Sequence, residues 1–225
     1  MRHEVLYRPS YSLLRVMLEQ GESVAAESGA MVSMSESIEI KTKARGGVFG
    51  ALKRSMFGGE SFFVNTFHAS APGEVTLAPP LPGDIQALEL SGNSYYAQSG
   101  AYVASSPDVQ VDTKWGGAKT FFSREGLFLL KLSGAGAVFL SSYGAVHEIE
   151  LAAGQEYVVD TGHMVAFADT VRYRVSKVGG LKYTLFSGEG LVCRLTGPGK
   201  ILIQSRSTDA FLSWLIPQLP TKNDS

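Results

Sequence analysis

Ala97-Gln98-Ser99-Gly100-Ala101-Tyr102-Val103 is a near copy of Ala26-Glu27-Ser28-Gly29-Ala30-Met31-Val32, and Val159-Asp160-Thr161-Gly162-His163-Met164-Val165 writes the same frame a third time. An earlier glycine precedes each copy at a constant distance: Gly21 stands to Gly29 as Gly92 to Gly100 and as Gly154 to Gly162. Leu18, Leu90 and Leu151 sit just upstream. The first two copies stay in phase through Ile38, Ile40, Thr42 and Lys43 against Val109, Val111, Thr113 and Lys114. Glycines alone could match by chance in a glycine-rich chain, but the apolar positions keep register as well. The interval, about sixty to seventy residues, is longer than that of the common solenoids. The chain therefore reads as three small β units fused into one body, with approximate boundaries 1–80, 81–142 and 143–207.

Length and composition agree. The 225 residues are 44% hydrophobic and 18% charged, enough to bury a sizeable core. A formal net charge of -1 supplies no global field toward nucleic acid, which is not an expected partner. Apolar runs such as Leu127 to Leu130 and Phe211 to Ile216 are too short to span a bilayer. The start, Met1-Arg2-His3-Glu4, lacks the apolar region that export needs, so a soluble cytoplasmic protein is expected. Cys193 is the single cysteine, which excludes an internal disulfide and a thiolate metal cluster.

In chain order, His3 to Arg8 and Tyr11 to Leu18 read as strands broken at Pro9-Ser10. Val24 to Met34 and the alternating Ile38 to Lys43 follow. Ser61 to His68 and Glu74 to Leu77 close the first unit before the Pro79-Pro80-Leu81-Pro82-Gly83 turn. The second unit repeats the layout with strands near Ser94 to Ala104, Val109 to Val111 and Leu127 to Leu132, and Phe62-Phe63-Val64 matches Leu127-Phe128-Leu129. Ala137 to Leu140, His147 to Leu151, Tyr157 to Phe167 and Val171 to Val175 are assigned to the third unit, completed by Leu181 to Phe186, Val192 to Leu195 and Ile201 to Gln204. Only the end reads as helix, over Asp209 to Leu215, capped by Ser207 or Thr208 and stopped by Pro217, with a tail to residue 225. Short strands with glycine turns give an all-β body of sandwich or rolled β-helix type. Such strands leave edges, and edges pair with other chains, so self-association into a closed ring is expected.

The segment from Lys41 to Gly59 carries Lys41, Lys43, Arg45, Lys53 and Arg54 without an acid, interleaved with Val48, Phe49, Leu52, Met56 and Phe57. Two readings stand. It is an excursion between strands whose apolar side chains fold onto the body or a neighbouring subunit, or it is an anion or membrane-surface contact, where each basic residue contributes about 1 kcal/mol near an anionic bilayer. The terminal helix, through Phe211, Leu212, Trp214 and Leu215, would assist the second. The glycine spacing does not complete a phosphate-binding loop.

Leu52-Lys53-Arg54 followed by Gly58-Gly59-Glu60-Ser61-Phe62-Phe63, the Gly73-Glu74-Val75 turn, Ala97-Gln98-Ser99-Gly100, Gly188-Glu189-Gly190-Leu191-Val192, and Gly197-Pro198-Gly199 leading into Ile203-Gln204-Ser205-Arg206 resemble the mitochondrial-biogenesis family named for altered inheritance of mitochondria, number twenty-four. The resemblance covers residues 3 to 207, and this sequence is similar to compact prokaryotic members. It implies three modules similar to the tryptophan-RNA-binding attenuation protein, each a short double-stranded β-helix, and a trimer whose nine modules form a ring. It implies no established chemistry; the mitochondrial relatives are linked to inner-membrane organisation.

The residues themselves hold no recognisable catalytic set. His3, His68, His147 and His163 are scattered singly, without the His-x-His pair of a cupin metal site. His163, which replaces Ala30 and Ala101 in the frame, is the best candidate for a local site. Ser133 lacks the first glycine of a nucleophile elbow, and Phe139 stands where Gly134-Ala135-Gly136 would need a third glycine to bind a dinucleotide. Cys193, between Val192 and Arg194, reads as a buried thiol. Lys41 and Lys43 align with Asp112 and Lys114, so the charge is not repeated as a ring-shaped RNA binder would require. No enzyme activity and no cofactor are expected. A noncatalytic oligomeric scaffold or adaptor comes first, and a peripheral membrane or anionic-ligand binder second.

Overall fold

The computed structural model describes residues 1–41, 64–112, 129–177 and 191–220. They form an all-β body with a short C-terminal helix. After a leading strand β1 (Arg2–Leu6), the first repeat comprises β2 (Leu13–Leu18), β3 (Ser23–Glu27), β4 (Met31–Met34), β5 (Ile38–Lys41), β6 (Val64–Ala69) and β7 (Gly73–Leu77). The second comprises β8 (Ile85–Ser91), β9 (Tyr95–Gln98), β10 (Tyr102–Ser105), β11 (Val109–Asp112) and the long β12 (Leu129–Ser141). The third comprises β13 (Val146–Leu151), β14 (Glu156–Asp160), β15 (Met164–Ala168), β16 (Arg172–Lys177), β17 (Leu191–Thr196) and β18 (Gly199–Gln204). Helix α1 (Thr208–Leu215) follows, with Ser207 accepting from the Ala210 N–H at its start and Pro217 in the 3₁₀ turn beyond it.

One antiparallel pairing scheme serves all three repeats. The last strand takes the first and third on its two sides, as in β2·β7·β4, β8·β12·β10 and β13·β18·β15. The penultimate strand takes the second and fourth, as in β3·β6·β5, β9·β12·β11 and β14·β17·β16. In the second repeat β12 fills both roles, its first half beside β9 and β11 and its second beside β8 and β10. Ala137 to Leu140, which the strand reading assigns to the third unit although the boundary at residue 142 leaves them in the second, are the end of the second. No local signal separates these assignments, because β12 runs through Gly134 and Gly136 where the other repeats turn.

The repeats also share a defect. Register slips by one residue within β4, β10 and β15, at Val32, Val103 and Val165, so a β-bulge recurs at the same valine three times. Gly21, Gly92 and Gly154 have φ of +86°, +96° and +76°, with nothing within 4 Å of where a Cβ would lie. These glycines answer to backbone conformation rather than to lack of space. The second glycine set is less uniform than the sequence implies. Gly29 has φ +95°, whereas Gly100 and Gly162 lie in single 3₁₀ turns without positive φ. The Asp160 carboxylate accepts from the Gly162 N–H at 2.8 Å and Ser207 stands beside it, while nothing lies within 4 Å of where a Cβ on Gly29 would sit.

Within strands the side chains alternate as a half-buried sheet requires: Leu14, Val16 and Leu18 of β2 are buried, and Arg15 points out to Glu74 at 3.2 Å. The core runs through the repeat boundaries. Val103, Ala104, Ala137 and Phe139 of the second repeat pack with Val24, Ala26, Phe67 and Leu77 of the first, and Val165, Ala166 and Leu202 of the third pack with Ala97, Leu130 and Val138 of the second.

A polar tie fixes the entry to the first repeat. Arg8 donates to both carboxylate oxygens of Asp84 at 2.9 and 2.8 Å, and the Ser12 hydroxyl and Ile85 N–H donate to the same group, each at 2.8 Å. Desolvation, the largest single influence, would raise the Asp84 carboxyl, but these hydrogen bonds and the Arg8 charge together hold it below the ordinary carboxylate range. A depressed carboxyl stabilises the fold above its unfolded pKa and loses that contribution as pH falls through the folded value. Asp84→Asn is therefore expected to cost roughly 1–3 kcal/mol at neutral pH, with solvent screening on half-exposed Arg8 keeping it from the upper extreme of buried pairs. In urea unfolding series, the gap from the parent protein narrows as pH drops below about 4.

Candidate functional site: the two open edges

The repeats are joined by one rule. The third strand of a repeat pairs with the second strand of the repeat before it: β10 with β3 through Ala104↔Ala26 and Ser105↔Ala25, and β15 with β9 through Ala166↔Ala97, Phe167↔Tyr96 and Ala168↔Tyr95. An alanine pair at equivalent positions, Ala104↔Ala26 and Ala166↔Ala97, recurs in both joints. The rule leaves two strands over. Among the described residues, β4 is a third strand beside β7 alone, closing the four-stranded sheet β1-β2-β7-β4, and β14 is a second strand beside β17 alone, opening the three-stranded sheet β14-β17-β16.

Burial follows this arrangement position by position. All four residues of β10, Tyr102 to Ser105, are buried, as are Met164 to Phe167 of β15, yet all four of β4 are exposed. Val103 is 1% exposed in its joint, and Val32, at the same bulge, is 57% exposed. On the opposite side Tyr95, Tyr96 and Ala97 of β9 are buried, while Tyr157 and Val158 at the matching positions of β14 lie open, Val158 at 49%. Natural edge strands are blunted with lysines, prolines or inward charges. Met31-Val32-Ser33-Met34 has none of these, and its polar side chain, Ser33, is turned to the Thr76 hydroxyl at 2.6 Å. Among the described residues the outer edges of β4 and β14 pair with no other strand, and Met31, Val32, Tyr157 and Val158 stand exposed along them, a surface chemically suited to strand pairing.

The residues singled out in the sequence fall differently. Lys41 is exposed and lies 3.7 Å from Glu39. Lys43, Arg45, Phe49, Lys53, Arg54 and Phe57 lie outside the described residues, so the basic segment is left as an expectation. Lys41 and Asp112 do occupy equivalent positions, opposite Thr66 and Lys131. His163 is a structural clamp: its Nδ1 donates to the Gln204 carbonyl at 2.8 Å, and the Gln204 amide returns a bond to the Gly162 carbonyl at 2.9 Å. His68 pairs with the Ser23 hydroxyl at 2.9 Å, the His3 ring stands edge-on to Phe139, and His147 is exposed on β13. Among the described residues no three His, Cys, Asp or Glu side chains gather as a metal site would need. None of the described helices is long and apolar enough to cross a membrane. That edges would exist is legible in the sequence; which two strands form them depends on a joint rule that only the fold reveals.

A family model described as Mitochondrial biogenesis AIM24 matches residues 3–206. A Streptococcus pyogenes serotype M6 protein described as uncharacterized is 31% identical over 232 residues, covering 100% of this chain and 93% of its own length. The X-ray crystal structure of a Streptococcus pyogenes protein superposes with a TM-score of 0.79 at 31% identity, covering 97% of this chain and 99% of that one.

Cys193 lies fully buried on β17, and burial pushes its thiol up to about 12. At pH 8 only about one thiol in ten thousand is then ionised. An aromatic disulfide reagent is expected to leave the folded chain unlabelled at that pH and to titrate one thiol per chain in denaturant.

Proposed function

The chain belongs to the Mitochondrial biogenesis AIM24 family, and from that premise we propose that it works by assembly rather than by catalysis, as a scaffold whose copies join β4 of one to β14 of the next. What carries this reading is the burial contrast: strands that are buried in the two interior joints are uncovered only where a repeat lacks its neighbour. The four-stranded and three-stranded sheets are the two halves of the composite sheets β8-β12-β10·β3-β6-β5 and β13-β18-β15·β9-β12-β11. Aligning the repeats on their bulges sets the register between copies, with Ser33 opposite Val159 and Met34 opposite Val158, as Ala166 stands opposite Ala97 and Phe167 opposite Tyr96.

A head-to-tail joint either closes a ring or runs on as a filament. The closed form favoured here is the trimer of nine repeats that the family resemblance implies. Closure leaves no β4 or β14 edge open, and the ring faces are then the surfaces offered to protein partners.

Val32→Lys places a charge where the joint is dry. In a single copy Val32 is exposed, so the substitution leaves the fold intact, but burying an unpaired ammonium costs several kcal/mol. Light scattering behind size exclusion at micromolar concentration is expected to give three chain masses for the parent and one for Val32→Lys, with matching circular dichroism. A monomeric parent, or a Val32→Lys protein that keeps the parent's mass, refutes the edge-to-edge scaffold.

A further inference from the structure

The peptides that carry the chain between repeats lie against one another on one face. The linker between the first and second repeats, residues 78–84, touches the linker between the second and third, residues 142–145. The Asp84 N–H donates to the Gly144 carbonyl, the Ser142 N–H to the Asp84 carbonyl and the Gly144 N–H to the Pro82 carbonyl, each at 3.0 Å. A Cβ on Gly83 would overlap the Ser142 carbonyl oxygen, so the contact is as close as backbones allow.

The two ends of the chain each reproduce half of such a linker. Ser12, immediately before β2, donates its N–H to the Gly83 carbonyl at 3.0 Å, just as Asp84, immediately before β8, donates to Gly144. Ser205, immediately after β18, donates its N–H to the Ala145 carbonyl at 3.0 Å, just as Ser142, immediately after β12, donates to Asp84. The entering and leaving peptides thus hold the positions that one continuous linker holds at an interior boundary.

Exposed aromatic side chains sit on both halves. Tyr7 and Tyr11 flank the entering peptide and are 71% and 75% exposed. The leaving peptide runs into α1, where Trp214 is 63% exposed and Ile216 and Leu219 beyond it are also open. Helix α1 has no buried residue; among the described residues its ring contacts are Phe211 edge-on to Tyr143 at 6.0 Å and Phe211 beside Trp214 at 6.2 Å. It carries one acid, Asp209 in its first turn, and no basic residue, so its surface suits an aromatic partner rather than an anionic one.

Resting on the edge-to-edge assembly above, we propose that the occupant of this apolar surface is the Tyr7–Tyr11 loop of the next copy, so that α1 clasps each joint between chains. The distance is set by the fold. Inside the chain, Ser141 and Val146 are separated by five residue steps, a span of at most about 18 Å. At a joint between copies the end of β18 and the start of the next copy's β2 take those same two positions. An eight-residue helix is about 12 Å long, and α1 starts four residues after the end of β18. Its Phe211 and Trp214 therefore come within reach of Tyr7 and Tyr11, and tyrosine against tryptophan gives the large, amphipathic contact common at the centre of protein interfaces.

The test reads Trp214 fluorescence in a Trp115→Phe background, where it is the sole tryptophan. Emission in the oligomer is expected to be blue-shifted relative to the same chain held monomeric by Val32→Lys. Adding Tyr7→Ser and Tyr11→Ser is expected to move it back to the red, or to release monomers with unchanged circular dichroism; both tyrosines are exposed in a single chain, so neither supports its fold. An intact oligomer whose Trp214 emission equals that of the Val32→Lys monomer, or ignores the tyrosine substitutions, overturns the clasp and leaves the scaffold standing. A parent protein of one chain mass removes the scaffold and the clasp with it.

Discussion

Backbone pairing across repeat boundaries is the constraint from which the rest of this molecule follows. A repeat of five or six short strands, folded as two small sheets, cannot occupy the inner edge of its second strand or the outer edge of its third. Each of those edges is taken by the neighbouring repeat, and the apolar residues beneath are covered in the same step. Neither the hydrophobic core nor the sheets can be divided at the repeat boundaries. The alternation along β2, the recurring bulge and the positive-φ glycines each serve to deliver strands to that shared edge at the right height.

The same constraint explains what the sequence made legible. The glycine frame at Gly21, Gly92 and Gly154 is visible because positive φ admits few other residues, so the requirement is written in residue identity. The valines at the bulges are visible because they are aligned with those glycines. Pairing is not written in this way. Asp84 and Arg8 are 76 residues apart and their tie depends on two linkers meeting. The end of β12 at Ala137 to Leu140 reads locally as the start of a new strand, because a strand continuing through Gly134 and Gly136 looks like a strand that ends.

The candidate site was less legible than the fold for a physical reason. A catalytic centre announces itself through chemically distinctive side chains, whereas a pairing edge is made of backbone. Met31, Val32, Tyr157 and Val158 are ordinary strand residues, and their counterparts in the other repeats are ordinary core. Only the comparison between equivalent positions, buried in one repeat and open in another, separates these residues from a surface that happens to be apolar. Among the described residues, His163 holds a turn, and Cys193 fills a core position equivalent to Leu130.

The pairing of β3 with β10 also sets an order in time. Ala26 must wait for Ala104, which leaves the ribosome 78 residues later, a delay of roughly 4–16 s at ordinary rates of synthesis. Ala97 waits in turn for Ala166. Each newly made edge is thus sheltered by the next length of nascent chain, one repeat behind the point of elongation.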